Sequence, residues 1–419
     1  MFIIGLNSTI ILTGIVVFLL IILLLVIGLL IAKAKLMPQG EVTLKINGDS
    51  ELKVNPGTTI LSALSENKIF LPSACGGGGS CGMCKCQVFE GGGSILPTEK
   101  GFFSRKEQQA NWRLGCQVKI RDNMSIGIPH EVMGIKKWEC TVVSNHNVAT
   151  FIKEFVVQLP EGEELDFQSG GYIQIDVPAL EVDFKKDIEV EKQFKEEWDQ
   201  FKMWDLKMKN PEPTYRAYSM ASYPAENKII MLNIRIATPP WDRAKGGFMD
   251  VNPGICSSFI FSRKPGDKVM ISGPYGEFFI RKTDNEMMFI GGGAGMAPMR
   301  SHIFDQYKTH RTNRKSTYWY GARSRREVFY ESDFNEIKSE NDNFDFTIAL
   351  SEPKKEDNWT GKTGFIHQVI YDEYLSKHES PEDIEYYLCG PPMMIAAVKK
   401  MLYDLGVPDE NVMFDDFGS

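Results

Sequence analysis

Residues 74–84 read Ala-Cys-Gly-Gly-Gly-Gly-Ser-Cys-Gly-Met-Cys, and residues 111–118 read Asn-Trp-Arg-Leu-Gly-Cys-Gln-Val. Cys75, Cys81 and Cys84 therefore form a C-x5-C-x2-C loop, and Cys116 follows on a distant element. Three thiolates from one loop and a fourth from elsewhere is an arrangement that holds a [2Fe–2S] cluster. The run from Gly76 to Gly79 lets the backbone adopt φ values closed to other residues and approach an inorganic centre closely. Its N–H groups can then point at cluster sulfurs and offset their negative charge. A four-cysteine zinc site is the rival, but it usually pairs two C-x2-C knuckles, and one is present here.

The first gap is one residue longer than the plant-type C-x4-C-x2-C, which makes this a ferredoxin relative of another branch. Cys86, in the β-like stretch KCQVF, reads as a packed strand residue rather than a fifth ligand. Cys140 and Cys256 read as small apolar side chains. A disulfide framework is not expected, because cluster ligands must stay reduced thiolates. Upstream, EVTLKING and SELKV alternate as strands joined by a turn at Asn47-Gly48, and Thr58 or Thr59 can cap the helix TILSALSEN. These pieces predict an α+β β-grasp domain over residues 41–131.

A chain of 419 residues holds two to four domains. Its 43% hydrophobic and 24% charged content is that of globular protein, and a net charge of −8 argues against nucleic acid as a partner. One segment departs from this average. Met1 to Ala32 carries no charged side chain, and 19 of the 23 residues from Ile10 to Ala32 are Leu, Ile, Val or Phe. As a helix they would span about 34 Å, enough for a hydrocarbon core of about 30 Å. A cleaved signal peptide would show a basic start, a shorter apolar core and a small-residue cleavage site. Lys33 and Lys35 follow the span and nothing basic precedes it. The expectation is a single-pass anchor over residues 1–35 in the bacterial inner membrane, with the N-terminus outside and the remaining domains in the cytoplasm. The linker Met37-Pro38-Gln39-Gly40 follows.

Residues 136–283 are rich in evenly spaced strands and predict an all-β barrel. Within it, residues 181–213 form a charged insert with Phe194, Trp198 and Phe201 on one helical face. That face either packs on the barrel or offers a docking surface. Residues 284–419 alternate strand and helix and predict an α/β nucleotide-binding domain with a doubly wound parallel sheet. Gly291-Gly292-Gly293-Ala294-Gly295 lies between strand and helix, where glycines admit a pyrophosphate. It is not the G-x-G-x-x-G fingerprint, since Met296 and Pro298 follow. Cys389-Gly390-Pro391-Pro392-Met393 ends another strand on the same edge. In the barrel, Tyr215-Arg216-Ala217-Tyr218-Ser219 combines a cation, aromatic plates and a hydroxyl, a set able to hold a phosphate and stack on a flavin ring. Alone, this pentapeptide could equally be plain strand.

Taken together, RAYS, PGICSS, GPYGEF, GGGAGMAP and CGPPMM resemble the ferredoxin–NAD(P)+ reductase superfamily. The order of anchor, ferredoxin, barrel and nucleotide domain, with ILPTE, YGARS and the terminal DDFGS, is similar to the family of F subunits of sodium-translocating NADH:quinone oxidoreductases. That resemblance implies FAD, with Arg216 on its phosphates, Ala217 between them, Tyr218 stacked on the isoalloxazine and Ser219 facing N5. It implies that Gly254, Ile255, Cys256, Ser257 and Ser258 wrap the pyrophosphate. Gly291, Gly292, Gly293, Gly295, Met296 and Pro298, with Gly390 and Pro391, would receive NADH. Cys389 would lie beside the hydride path, with Ser219 as its catalytic companion, and Phe417 would cover the flavin face. It further implies integral membrane partner subunits that reduce ubiquinone and move sodium. The same domain order also occurs in oxygenase reductases, which have no use for an anchor, and a non-enzymatic redox sensor is a further alternative. One local feature points the other way: Arg323, Arg325 and Arg326 follow the second strand of the nucleotide domain, a place where arginine accommodates the 2′-phosphate of NADPH. The resemblance implies NADH, which is the expectation.

Overall fold

Asn47 and Gly48 both adopt left-handed φ values, 53° and 81°, where Asn and Gly are the least strained residues. They turn strand Val42–Ile46 into strand Ser50–Val54. The structure is a computed structural model that describes residues 8–36 and 40–415. Met37-Pro38-Gln39, the first seven residues of the anchor and Phe417 lie outside the described residues.

The chain divides into two compact units, one holding the chain up to Ser73 with Gly77–Gly134, the other Ala74–Gly76 with Ile135–Ser419. In the first, a five-stranded sheet runs in the order Ser50–Val54, Val42–Ile46, Met124–Gly127, Lys85–Glu90, Trp112–Leu114. Val42–Ile46 and Met124–Gly127 are parallel, and the other pairs are antiparallel. Helix Ile60–Glu66 covers it, burying Ile60, Leu61, Ala63 and Leu64. Thr59 is the cap, accepting from the Ser62 N–H at 3.1 Å. This is the expected β-grasp, and Cys86 is fully buried in its strand. Separately, helix Ser8–Leu36 includes Leu12–Leu29, with mean hydropathy 3.2; it is the one helix among the described residues long and apolar enough to cross a membrane.

The second unit joins barrel and nucleotide halves that the sequence treats as two domains. Six antiparallel strands follow the order Thr214–Ser219, Tyr172–Val177, Lys268–Tyr275, Lys136–Ala149, Ile152–Gln158, Ile229–Arg235. A bridge from Met220 to Leu232 closes the ends into a barrel. The insert corrects the single-helix expectation. It is a hairpin, Leu180–Asp183 with Lys207–Asn210, enclosing short helices Phe184–Asp187 and Lys195–Gln200. Left-handed Lys202 (φ 54°) follows the second helix. Trp198 is fully buried, Phe194 is 4% exposed, and Phe201 packs against the same core. Trp198 Nε1 donates to the Thr150 carbonyl at 2.7 Å. The docking-surface alternative fails because these rings are barrel core.

In the nucleotide half, a parallel sheet runs Lys362–Thr363, Phe344–Leu350, Ser316–Ala322, Met287–Gly292, Glu385–Cys389, Val412–Asp415. Strand order reverses between Met287–Gly292 and Glu385–Cys389, which opens a crevice at their carboxyl ends. Separate apolar clusters cover the two faces, one around Phe289 and Tyr318, the other around Ile290 and Tyr386.

Candidate functional site

Gly77, Gly79 and Gly82 have φ of 87°, 77° and 71°. A Cβ on Gly79 would lie 2.5 Å from Gln117 Nε2, and one on Gly82 2.5 Å from the Phe102 ring. The loop runs this close to its neighbours only because it lacks side chains. Cys116 Sγ lies 3.6 Å from Gln117 Nε2, and the Cys84 carbonyl accepts from the Gly115 N–H at 2.7 Å. The Cys84 thiol is pushed far up by its hydrogen bond with Cys116, then by burial and the neighbouring charges of Cys116 and Cys81. Such crowded thiols favour a cationic centre, which relieves the repulsion between thiolates. Cys75 belongs to the short segment grouped with the second unit. Among the described residues, no three His, Cys, Asp or Glu side chains converge on one point, as ligands of a mononuclear metal would. A binuclear cluster shares four thiolates between two irons and has no need of such a point. Four reduced thiols, three on one loop and one after a strand, are the donor type such a cluster takes.

Sequence reading misses what fixes the strand before Cys116. Arg113 and Glu99, the acid of ILPTE, form a buried ion pair, Nη2 to Oε2 2.7 Å, with side chains 5% and 0% exposed. Glu99 also accepts from the N–H groups of Leu96 (2.9 Å) and Leu114 (2.8 Å), and Arg113 Nη1 donates to the Gly92 carbonyl at 2.8 Å.

In the second unit, Thr214–Ser219 pairs with Tyr172–Val177, placing Arg216 opposite Ile175, Ala217 opposite Gln174 and Tyr218 opposite Ile173. Arg216 Nη1 donates to Thr214 Oγ1 (3.0 Å) and the Tyr215 carbonyl (2.7 Å). Burial pushes the Tyr218 phenol well above its ordinary value, with Cys256 beside it. Gly254 begins helix Ile255–Phe261, and a Cβ there would lie 2.6 Å from the Ala237 Cβ. Cys256 is 3% exposed and joins the barrel core, so what it can offer a ligand is backbone, while Ile255 packs against that core and stays partly exposed. Ser257 Oγ accepts from the Ala237 N–H at 3.1 Å. Ser258 Oγ is buried with no protein partner, which fits a further group binding there.

Strand Met287–Gly292 passes through a turn, Gly293–Gly295, into helix Met296–Phe304. Its glycines have different reasons. A Cβ on Gly295 would lie 2.1 Å from the Cys389 carbonyl oxygen, on Gly291 2.8 Å from Tyr318 Oη, and on Gly292 2.8 Å from Met394 Sδ. Gly390 is likewise closed, by Met394 Cε at 2.5 Å. Gly293, φ 56°, turns the chain at the open edge. Met296 and Pro298 are buried, and Tyr318 Oη donates to Met296 Sδ at 3.2 Å, so these side chains pack inside the domain. Pro391 is exposed just after the Cys389 strand.

Sheet register sets Gly291, Cys389 and Asp415 in one row at the carboxyl ends. Ser219 Oγ, from the barrel, donates to Asp415 Oδ2 at 2.5 Å. Thus a barrel hydroxyl and a carboxylate meet at the crevice, and Cys389, fully buried in the core of the nucleotide half, is the backbone neighbour of that carboxylate. Asp415 escapes the sequence reading, although DDFGS contains it. Arg300, 8% exposed, fixes the two halves by donating to the Ala221 carbonyl (2.7 Å) and pairing with Glu226 (2.9 Å).

Residues 44–121 match the 2Fe-2S iron-sulfur cluster binding domain family, and residues 289–400 match the oxidoreductase NAD-binding domain family. In fold, the chain is similar to the crystal structure of the Amycolatopsis cytochrome P450 reductase GcoB (TM-score 0.61, 21% identity, 90% of this chain and 98% of that one). It is also similar to the ferredoxin reductase in carbazole 1,9a-dioxygenase (TM-score 0.58, 24% identity, again 90% and 98%). These features define an iron–sulfur oxidoreductase in which a 2Fe-2S domain precedes a ferredoxin-reductase-like unit. Relatives named as the F subunit of Na(+)-translocating NADH-quinone reductase occur in Actinobacillus pleuropneumoniae serotype 5b and Neisseria meningitidis serogroup B. Each is 56% identical over 97% of this chain, covering 98% and 99% of their own lengths. The chain belongs to this family, the F subunits of Na(+)-translocating NADH-quinone reductase.

Proposed function

We propose that this chain is the electron-input subunit of a membrane NADH:quinone reductase that moves sodium. Residues 1–35 anchor it in the bacterial inner membrane with the N-terminus outside, and residues 41–131, 136–283 and 284–419 are its cluster, flavin and NADH domains on the cytoplasmic side. Cys75, Cys81, Cys84 and Cys116 hold the [2Fe–2S] cluster. Arg216 and the segment Gly254–Ser258 hold FAD, and Gly291–Gly295 with Gly390 and Pro391 receive NADH. When bound, FAD supplies the change from a hydride pair to the single electrons a cluster accepts. The observation that carries the reading is the Ser219–Asp415 hydrogen bond, made beside the strand-end row of Gly291, Cys389 and Asp415 at the sheet's switch point.

Each residue there has a physical task. Asp415 orients the Ser219 hydroxyl and could accept its proton only as Oγ takes up another from a bound group, so that the hydroxyl stays neutral throughout. Cys389, fully buried, makes an apolar floor at the strand end. Tyr218 offers a flat face for stacking, Arg216 a cation for phosphate, and Ser258 Oγ a donor in need of an acceptor. Integral membrane subunits of the same complex take the electrons onward to ubiquinone.

Anaerobic rapid mixing of the full-length protein with NADH tests this. The flavin absorption should bleach first and the cluster signals should follow, and membranes containing the whole complex should couple NADH oxidation to quinone reduction. An enzyme whose cluster is never reduced by NADH would sink the proposal.

A further inference from the structure

Ser316–Ala322 lies beside Met287–Gly292 in the parallel sheet, and the segment leaving its carboxyl end carries Arg323, Arg325 and Arg326. Arginine in this place accommodates a 2′-phosphate. By charge alone the segment suits NADPH. Every one of the three, however, stands against a carboxylate: Arg323 with Glu327 at 3.6 Å, Arg325 with Glu331, and Arg326 with Glu196 at 3.3 Å. Glu196 comes from the barrel's insert, 130 residues earlier in the chain. Its neighbour Glu197 repeats the pattern, meeting Lys354 at 2.9 Å.

We infer that Glu196, Glu327 and Glu331 set the choice of NADH over NADPH by compensating the arginines that would otherwise bind a 2′-phosphate. The inference rests on the reading that the dinucleotide binds at this sheet edge. The pairs are partly in water, with Arg323 and Arg325 side chains 52% and 42% exposed, so no single ion pair locks its arginine away. The discriminating force is repulsion. A carboxylate about 6 Å from a phosphate dianion in water weakens its binding by about tenfold. A ribose hydroxyl is uncharged and does not feel it. Recognition is thereby set by what surrounds the arginines rather than by the arginines themselves.

The test uses full-length, detergent-solubilised protein and the Glu331→Gln, Glu196→Gln and combined variants; Glu327 is left intact because it also accepts from Thr150 Oγ1 at 2.6 Å. The probes are adenosine 2′,5′-bisphosphate and ADP, read by calorimetry. Each single variant should bind the bisphosphate about three- to tenfold more tightly, and the pair more tightly still, with ADP affinity changed less than about twofold. The kcat/KM for NADPH should rise in parallel, and adding Arg325→Ala should cancel part of the gain. Unchanged bisphosphate affinity in the combined variant, with normal ADP binding, would overturn the inference alone. Absence of ADP binding to the wild-type protein would instead overturn the underlying reading and the inference with it.

Discussion

Replacing Arg113 by methionine isolates the charge that steadies the cluster domain. The Glu99 carboxylate it leaves behind is 0% exposed, and Arg113 itself is 5% exposed. Three guanidinium contacts to Glu99 would be lost, at 3.2, 3.0 and 2.7 Å, leaving the Leu96 and Leu114 N–H groups as its partners. Two neutral donors do not offset a buried negative charge, and breaking such a pair by removing one partner costs about 3–5 kcal/mol. For a domain of about 90 residues each kcal/mol lowers Tm by roughly 4–8 °C, so the expected loss is roughly 12–40 °C. The assay is thermal bleaching of the cluster's visible absorption in the anaerobic full-length protein. Adding Glu99→Gln removes the stranded charge while keeping one carbonyl for a backbone donor, and should recover at least half of the loss. If the single and double variants melt within about 3 °C of each other, the uncompensated charge is not the cause and the reasoning fails.

Cys81→Ala and Cys116→Ala should each abolish the [2Fe–2S] visible and EPR signals while NADH still bleaches the flavin, because these two ligands and the flavin residues sit in different units; a normal cluster spectrum in both would refute the assignment. Ser219→Ala and Asp415→Asn should keep FAD bound but slow hydride transfer by about 10²-fold in rapid mixing, in the range of a lost proton-transfer partner, whereas Arg216→Leu should lose FAD on purification. Deleting residues 1–35 should yield a soluble protein that oxidises NADH with artificial acceptors but supports no quinone reduction in membranes, measured against the full-length chain. Quinone reduction by the truncated chain would show that the anchor is dispensable.

What is legible in the sequence is local. Asn47-Gly48 fixes a turn by φ alone, the C-x5-C-x2-C spacing fixes a loop, and the glycines before Met296 mark a strand-to-helix crossing. What escapes it depends on pairing across distance. Asp415 gains its meaning from a register that sets it beside Cys389 and within reach of Ser219, 196 residues earlier. Glu99 is an ordinary surface-type residue until its burial with Arg113 is seen. The insert shows why local periodicity misleads: its aromatic spacing suggests one helical face, yet the helix carrying Trp198 is only Lys195–Gln200, and Trp198 turns into the barrel. The same six residues send Glu196 and Glu197 the other way, to Arg326 and Lys354 of the nucleotide half. An element that is apolar toward one half and acidic toward the other joins the two. It also brings two carboxylates to cations of the nucleotide half, Arg326 and Lys354. The arginines at 323, 325 and 326 each stand beside a glutamate, one of them from a segment far upstream, so under the proposed specificity a rule based on the strand end alone would miss the charge that decides the cofactor.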